Sequence, residues 1–342
     1  MSNSSSHNSG SRGVAVVTGG SAGLGRAIVR ELAARGWDIA VLARGPHGID
    51  GAVRDAAAQG VRAMGVSVDV ADHIALDAAA DRIENELGPI ELWVNDAMTG
   101  IFGEFLTTEP TDFERATYVN YFGFVNGTRA ALKRMVPRDR GQVIQVGSAL
   151  AHRGIPLQAA YCGAKHAVQG FTESVNTELT HNNSKVRISS VDMPALNTIQ
   201  FNWVKSQLPH HPMPVAPIFQ PEVGARAIAR VAEKPRPRTW VGESTVATVL
   251  GNRFGARFLD WYLAKTGYDG QQAPEKTEPM LNYNLYEPVP GDQGARGIFS
   301  DQARMTSPQV WAIEHRGTAA AVAAGFGALG ALAAAALVSR KR

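Results

Sequence analysis

The chain has 342 residues, 44% hydrophobic and 19% charged, with a formal net charge of +3, which is enough apolar material for one large core or two smaller ones. The positive excess forms no stripe: part is Arg340, Lys341 and Arg342 at the end and part lies around Arg236 and Arg238, which argues against nucleic-acid binding. Cys162 is the single cysteine, so no intrachain disulfide can form and a reducing compartment fits, while the nine histidines are scattered without metal-ligand spacing.

Residues 1–12 are rich in Ser, Asn and Gly, read as a flexible start, and lack the apolar core of a secretory signal. The apolar run 14–17 is followed by Thr18-Gly19-Gly20-Ser21-Ala22-Gly23-Leu24-Gly25 and a helical pattern over 26–35. Strand, glycine turn and helix in that order are the context of a dinucleotide fingerprint, in which the pyrophosphate sits at the helix N-terminus. The next strand, 38–43, ends at Arg44. An acidic residue there would bind a ribose 2′-hydroxyl, whereas arginine pairs with a 2′-phosphate, so Arg44 tilts the cofactor to NADP, with NAD possible.

Alternation continues with a helix over 48–59, a strand over 61–68 ending at Asp69, a helix over 71–87, a strand over 91–94 ending in Asn95-Asp96-Ala97, a helix over 111–135 containing Asn120 and a strand over 141–147 ending at Ser148. Such alternation predicts an α/β fold of Rossmann type, a doubly wound parallel sheet with helices on both faces. Ligands bind at the carboxyl ends of such strands, and the glycine turn, Arg44, Asp69, Asn95 and Ser148 all fall there.

Tyr161 and Lys165 are four apart and share a helix face. A phenol titrates near about 10, and a cation one turn away favours the phenolate and lowers that value toward the working range. Ser148 can hold a carbonyl or alcohol oxygen while Tyr161 moves the proton. A ring beside a solvated amine is the plainer alternative for this spacing alone.

Residues 13–242 resemble the short-chain dehydrogenase/reductase family. Thr18-Gly19-x-x-x-Gly23-x-Gly25 matches its cofactor turn, Asp69 its adenine-binding acid, Asn95 the start of its Asn-Asn-Ala-Gly element, and Asn120, Ser148, Tyr161 and Lys165 its catalytic tetrad. The resemblance implies an alcohol/carbonyl oxidoreductase in which Tyr161 is the acid–base, Ser148 orients the substrate oxygen, Lys165 holds the nicotinamide ribose and Asn120 supports a water-mediated proton path. It also implies cofactor contacts from Ser21, Leu24, Val70, Ala97, Pro194 and Thr198, and a homodimer or homotetramer. Two departures stand out: Asp96-Ala97-Met98 replaces Asn-Ala-Gly, and Pro194-Ala195 replaces Pro-Gly after the strand over 186–191.

The loop over 197–220, with Ile199, Phe201, Trp203, Leu208, Met213 and Phe219, occupies the family's substrate-loop position and suggests an apolar or bulky substrate; packing of the loop onto the body is the alternative. A helix over 221–232 and a strand over 239–242 complete a catalytic domain of 13–245. The extension, 246–317, begins with a helix over 246–265 whose Leu250, Phe254, Phe258, Trp261 and Tyr262 form one apolar face, read as core-facing or as an oligomer or membrane contact, and continues as an extended arm. Residues 318–338 carry no charge and are followed by a basic tail, 339–342. At about 1.5 Å per residue that stretch spans a bilayer core of about 30 Å, so it is read as a C-terminal transmembrane helix holding a cytoplasmic catalytic domain at a membrane. A buried oligomer helix, and a cofactor-binding scaffold without turnover, are the competing readings.

Overall fold

The computed structural model describes residues 11–276 and 283–315. Its strands are β1 (Val14–Thr18), β2 (Asp38–Ala43), β3 (Ala63–Ser67), β4 (Ile90–Asn95), β5 (Ile101–Phe102), β6 (Gln142–Ser148), β7 (Arg187–Met193), β8 (Lys205–Ser206), β9 (His210–Pro212), β10 (Arg238–Trp240) and β11 (Gln272–Lys276). Seven of them make one parallel sheet in the order β10-β7-β6-β4-β1-β2-β3. The helices are α1 (Gly23–Ala34), α2 (Pro46–Ala57), α3 (His73–Glu86), α4 (Pro110–Thr117), α5 (Gly123–Met135), α6 (Ala159–His181), α7 (Pro221–Glu233), α8 (Glu243–Thr266) and α9 (Pro308–Glu314).

Alternate residues of a strand face opposite sides of the sheet, and β1 shows the result. Ala15 and Val17 join one core with Ile28, Leu32, Val223 and Ile228, while Val14 and Val16 join another with Leu76, Ile83, Trp93 and Met135. The sheet is therefore covered on both faces, as its continuous apolar strands require. The strand order reverses direction between β1 and β4, and the crevice outside their carboxyl ends is where an open α/β sheet takes its ligand.

Three expectations are corrected in detail, and for the aromatic face of α8 one of its open alternatives is removed. Helix α1 starts at Gly23, not Arg26, because the fingerprint glycines themselves make its first turn. The helix expected over 111–135 is interrupted by a π-helical turn, Tyr118–Phe122, centred on Asn120. The loop over 197–220 carries β8, which pairs with β5, and β9, which pairs with β11. Helix α8 does not turn its aromatic face to a core: Phe254, Phe258 and Trp261 are 82%, 62% and 57% exposed, because periodicity shows that one face is apolar and not what covers it.

Beyond α8 and β11, residues 283–307 run largely without regular structure along the carboxyl ends of the strands. Residues 1–10, the expected transmembrane stretch 318–338 and the basic tail lie outside the described residues, as do 277–282 and 316–317 of the extension. Among the described residues, no helix is long and apolar enough to cross a membrane.

Candidate active site

The glycine turn is shaped by close backbone approach. Gly19 takes φ +72° and Gly23 φ +57°, angles that favour glycine. A Cβ on Gly25 would stand 2.3 Å from the Gly19 carbonyl oxygen. Helix α1 starts after Ala22, which offers no side-chain cap, whereas α3 is capped by Asp72, accepting from the Ile74 and Ala75 amides at 3.0 Å. The first turn of α1 thus turns its amides to acceptors outside the helix, and that of Gly23 is given to the Gly294 carbonyl at 2.9 Å. A Cβ on Gly23 would meet only the Thr198 side chain, at 3.5 Å, so there is room above the turn, and the cradle fits the pyrophosphate of a dinucleotide. The Thr18 hydroxyl fixes the neighbouring strand end: it accepts from the Asp96 and Ala97 amides at 3.1 and 3.2 Å and donates to the Val94 carbonyl at 3.4 Å.

Ser148 ends β6 and Tyr161 and Lys165 lie on the first turns of α6. The Ser148 oxygen accepts from the Leu150 amide at 3.1 Å, and the nearby hydroxyl draws the Tyr161 phenol's pKa down. Burial works the other way and wins: it raises the phenol's pKa, and Cys162, Asp96 and Asp192 add to the rise. Lys165 is buried, donates to the Val146 carbonyl at 2.8 Å, and stands 4.2 Å from the Phe124 ring centre and 5.6 Å from that of Tyr161. Burial lowers its pKa to about 8, with Asp96 and Asp192 opposing. The expected lowering of the phenol by its lysine neighbour is therefore not what this geometry gives. Lys165 is buried and Tyr161 half-buried, and desolvation penalises the ammonium that was to stabilise the phenolate.

One cavity of about 630 Å³ runs from Arg44 and Asp69, past the glycine turn, to Ser148 and Tyr161, and on beneath the 197–220 loop to α8. Gly19, Ser21, Gly23, Leu24, Val70, Ala97, Lys165, Pro194 and Thr198 line it too. Thr18, Gly25, Asn95 and Asn120 are not among its lining residues. Asn95 faces the helix layer instead: its oxygen accepts from the Trp93 indole at 2.8 Å and its amide donates to Gln145 at 2.9 Å and Thr128 at 3.2 Å. Asn120 spends its side chain on the Thr99 backbone, accepting from the amide at 3.0 Å and donating to the carbonyl at 2.7 Å. Asp69 accepts from the Ala71 amide at 2.9 Å and pairs with Arg115. Of the loop's apolar residues, Ile199, Phe201, Trp203 and Met213 line the cavity, while Leu208 and Phe219 pack inward.

Three features escaped sequence reasoning. Asp96, visible only as a departure from Asn, is a half-buried carboxyl in the cavity wall, and desolvation raises its pKa to about 8. His152 and Asp192 form a buried pair at 2.8 Å; forty positions separate them, so no local signal exists. Asn284, Pro288, Val289, Gly291 and Gln293 of the arm also line the cavity, and an irregular segment announces no such contact in advance.

Comparison with known proteins agrees with this geometry. The short chain dehydrogenase family profile matches residues 13–207. An uncharacterized oxidoreductase of Bacillus subtilis, YxnA, is 29% identical over 315 residues, covering 92% of this chain and 88% of that one. A metagenomic short-chain oxidoreductase solved in complex with NADP superposes with a TM-score of 0.57 at 26% identity, covering 68% of this chain and 97% of that one. A Burkholderia phymatum short-chain dehydrogenase/reductase in complex with NAD shares the fold, with a TM-score of 0.65 at 19% identity over 73% of this chain and 96% of that one. With a glycine cradle, a serine–tyrosine pair and one cavity joining them, the chain belongs to the short-chain dehydrogenase family, as a nicotinamide-dependent oxidoreductase working on CH–OH/C=O groups.

Proposed function

We propose that the chain transfers a hydride between NADP(H) and an apolar or bulky alcohol/carbonyl substrate. Tyr161 moves the proton, Ser148 holds the substrate oxygen, Lys165 holds the nicotinamide ribose, and Asn120 supports a water-mediated proton path to Lys165. The nicotinamide, when bound, supplies or accepts the hydride. The observation that supports this reading is that Ser148, Tyr161, Lys165 and the glycine turn all line one cavity. Phe102, Phe201, Trp203 and Val204 at its far end support an apolar substrate, and Arg44 at the end of β2 supports the phosphorylated dinucleotide.

Tyr161→Phe is the test. Turnover, followed by nicotinamide absorbance over a panel of carbonyls and alcohols, should fall about 10²- to 10⁴-fold, with the dinucleotide Kd nearly unchanged. Equal turnover of the two proteins would overturn the mechanism. Dinucleotide binding without turnover on any substrate would favour the scaffold reading, which draws on the altered Asp96-Ala97-Met98 turn.

Two assignments go with this reading. The uncharged stretch 318–338 anchors the cytoplasmic catalytic body to a membrane; fractionation of the full chain and of one ending at 317 tests it, and equal solubility refutes it. The chain self-associates through the helices bearing Asn120 and Tyr161, where Tyr118 and Phe122 stack at 5.2 Å and stay 52% and 41% exposed. Light scattering should show a dimer or tetramer that Phe122→Arg weakens, and a monomeric wild type ends that idea.

A further inference from the structure

Several groups that the fold offers to a dinucleotide already have partners within the chain, and the arm supplies most of them. Arg44 donates from Nη1 to the Tyr286 carbonyl at 2.6 Å and from Nη2 to the Asn284 carbonyl. The Gly23 amide, in the first turn of α1, donates to the Gly294 carbonyl at 2.9 Å. Arg115, paired with Asp69, donates to the Leu285 carbonyl at 3.0 Å. The arm is held by more than these bonds. Leu285 is fully buried against Ile101, Ala116 and Ala160, the Tyr286 hydroxyl donates to Asp112 at 2.9 Å, and Asp292 pairs with the buried Arg26 at 2.9 Å.

We propose that residues 284–294 are the outer wall of the dinucleotide site and set its choice between NADP and NAD, because the Arg44 guanidinium is shared between the arm and the cofactor. This rests on the reading that the cleft takes a nicotinamide dinucleotide. Each terminal nitrogen of Arg44 gives one N–H to an arm carbonyl, which fixes the guanidinium toward the arm, so a 2′-phosphate that draws it round to pair bidentately does so at the expense of those bonds. A ribose 2′-hydroxyl makes no such demand, and NAD leaves those bonds in place. The chain thus charges NADP for recognition that an open arginine would give freely. Loosening the arm shifts preference toward NADP, and bound NADP loosens the arm, since the coupling is reciprocal.

The test uses the full-length chain. Leu285→Ala removes the buried anchor and Asp292→Asn weakens the Arg26 clamp; Kd values for NADP+ and NAD+ are measured for each by titration. Affinity for NADP+ relative to NAD+ should rise about tenfold in each variant. In the wild type, amide hydrogen exchange over 284–286 should be faster when saturated with NADP+ than with NAD+. An unchanged affinity ratio in a folded variant overturns the proposal, and so does equal exchange with the two dinucleotides, which decides the matter if neither variant folds. A wild type that binds neither dinucleotide overturns instead the functional reading on which this one stands.

Discussion

The Lys165 ammonium lies against Phe124 and the Val146 carbonyl and feels the charges of the Asp96 and Asp192 carboxyls. Asp96 is driven up to about 8 and Lys165 down to about 8, each by burial first, and each opposes the other's shift. As the pH rises through that region Asp96 ionises, and its negative charge delays the loss of the lysine proton. Asp96→Asn removes that support, so the alkaline limb of the kcat/KM profile should move to lower pH; a limb that stays put or moves up would show that the two do not interact. The tyrosine, lysine and serine were legible in the sequence because helix pitch and strand ends fix their placement. Their ionisation was not, since it depends on burial made by distant segments. The direction of Asn95 was hidden for a related reason: position at a strand end does not say toward which layer a side chain turns, and here Trp93, Gln145 and Thr128 hold it.

Elements whose residues repeat regularly were placed within a few residues, and the misses fall where regularity is broken without a change in composition. The π-helical turn at Tyr118–Phe122 inserts extra backbone into a pattern that still reads as one helix. Strands of two or three residues, such as β8 and β9, are too short to show any period. The glycine turn, by contrast, makes a sharp demand. Gly25→Ala puts a methyl group 2.3 Å from the Gly19 oxygen, which should cost about 1–3 kcal/mol of stability and weaken dinucleotide binding. A variant that melts and binds like wild type would mean the turn yields. Asp72→Ala removes two capping bonds from α3 outside the cavity; denaturant unfolding should register a loss of about 1 kcal/mol with kcat unaltered.

At the scale of the molecule, the two-faced core explains why the catalytic part of the chain could be recognised as an α/β fold from alternation alone, while the role of the extension could not. A core leaves a periodic imprint on the residues that build it, and the arm has no period. Its buried residues, Leu285, Ala295, Phe299 and Val310, are single side chains dropped into sockets on the body. Anyone trimming the apolar tail to ease purification should therefore choose the cut with care. A protein stopped at 276 would leave those sockets open and is expected to melt earlier and clump, whereas one stopped at 315 should match the full-length melting temperature in a thermal-shift assay. Residues 283–315 are a lacing across the front of the enzyme, and cutting into them unlaces the vessel along with the tail.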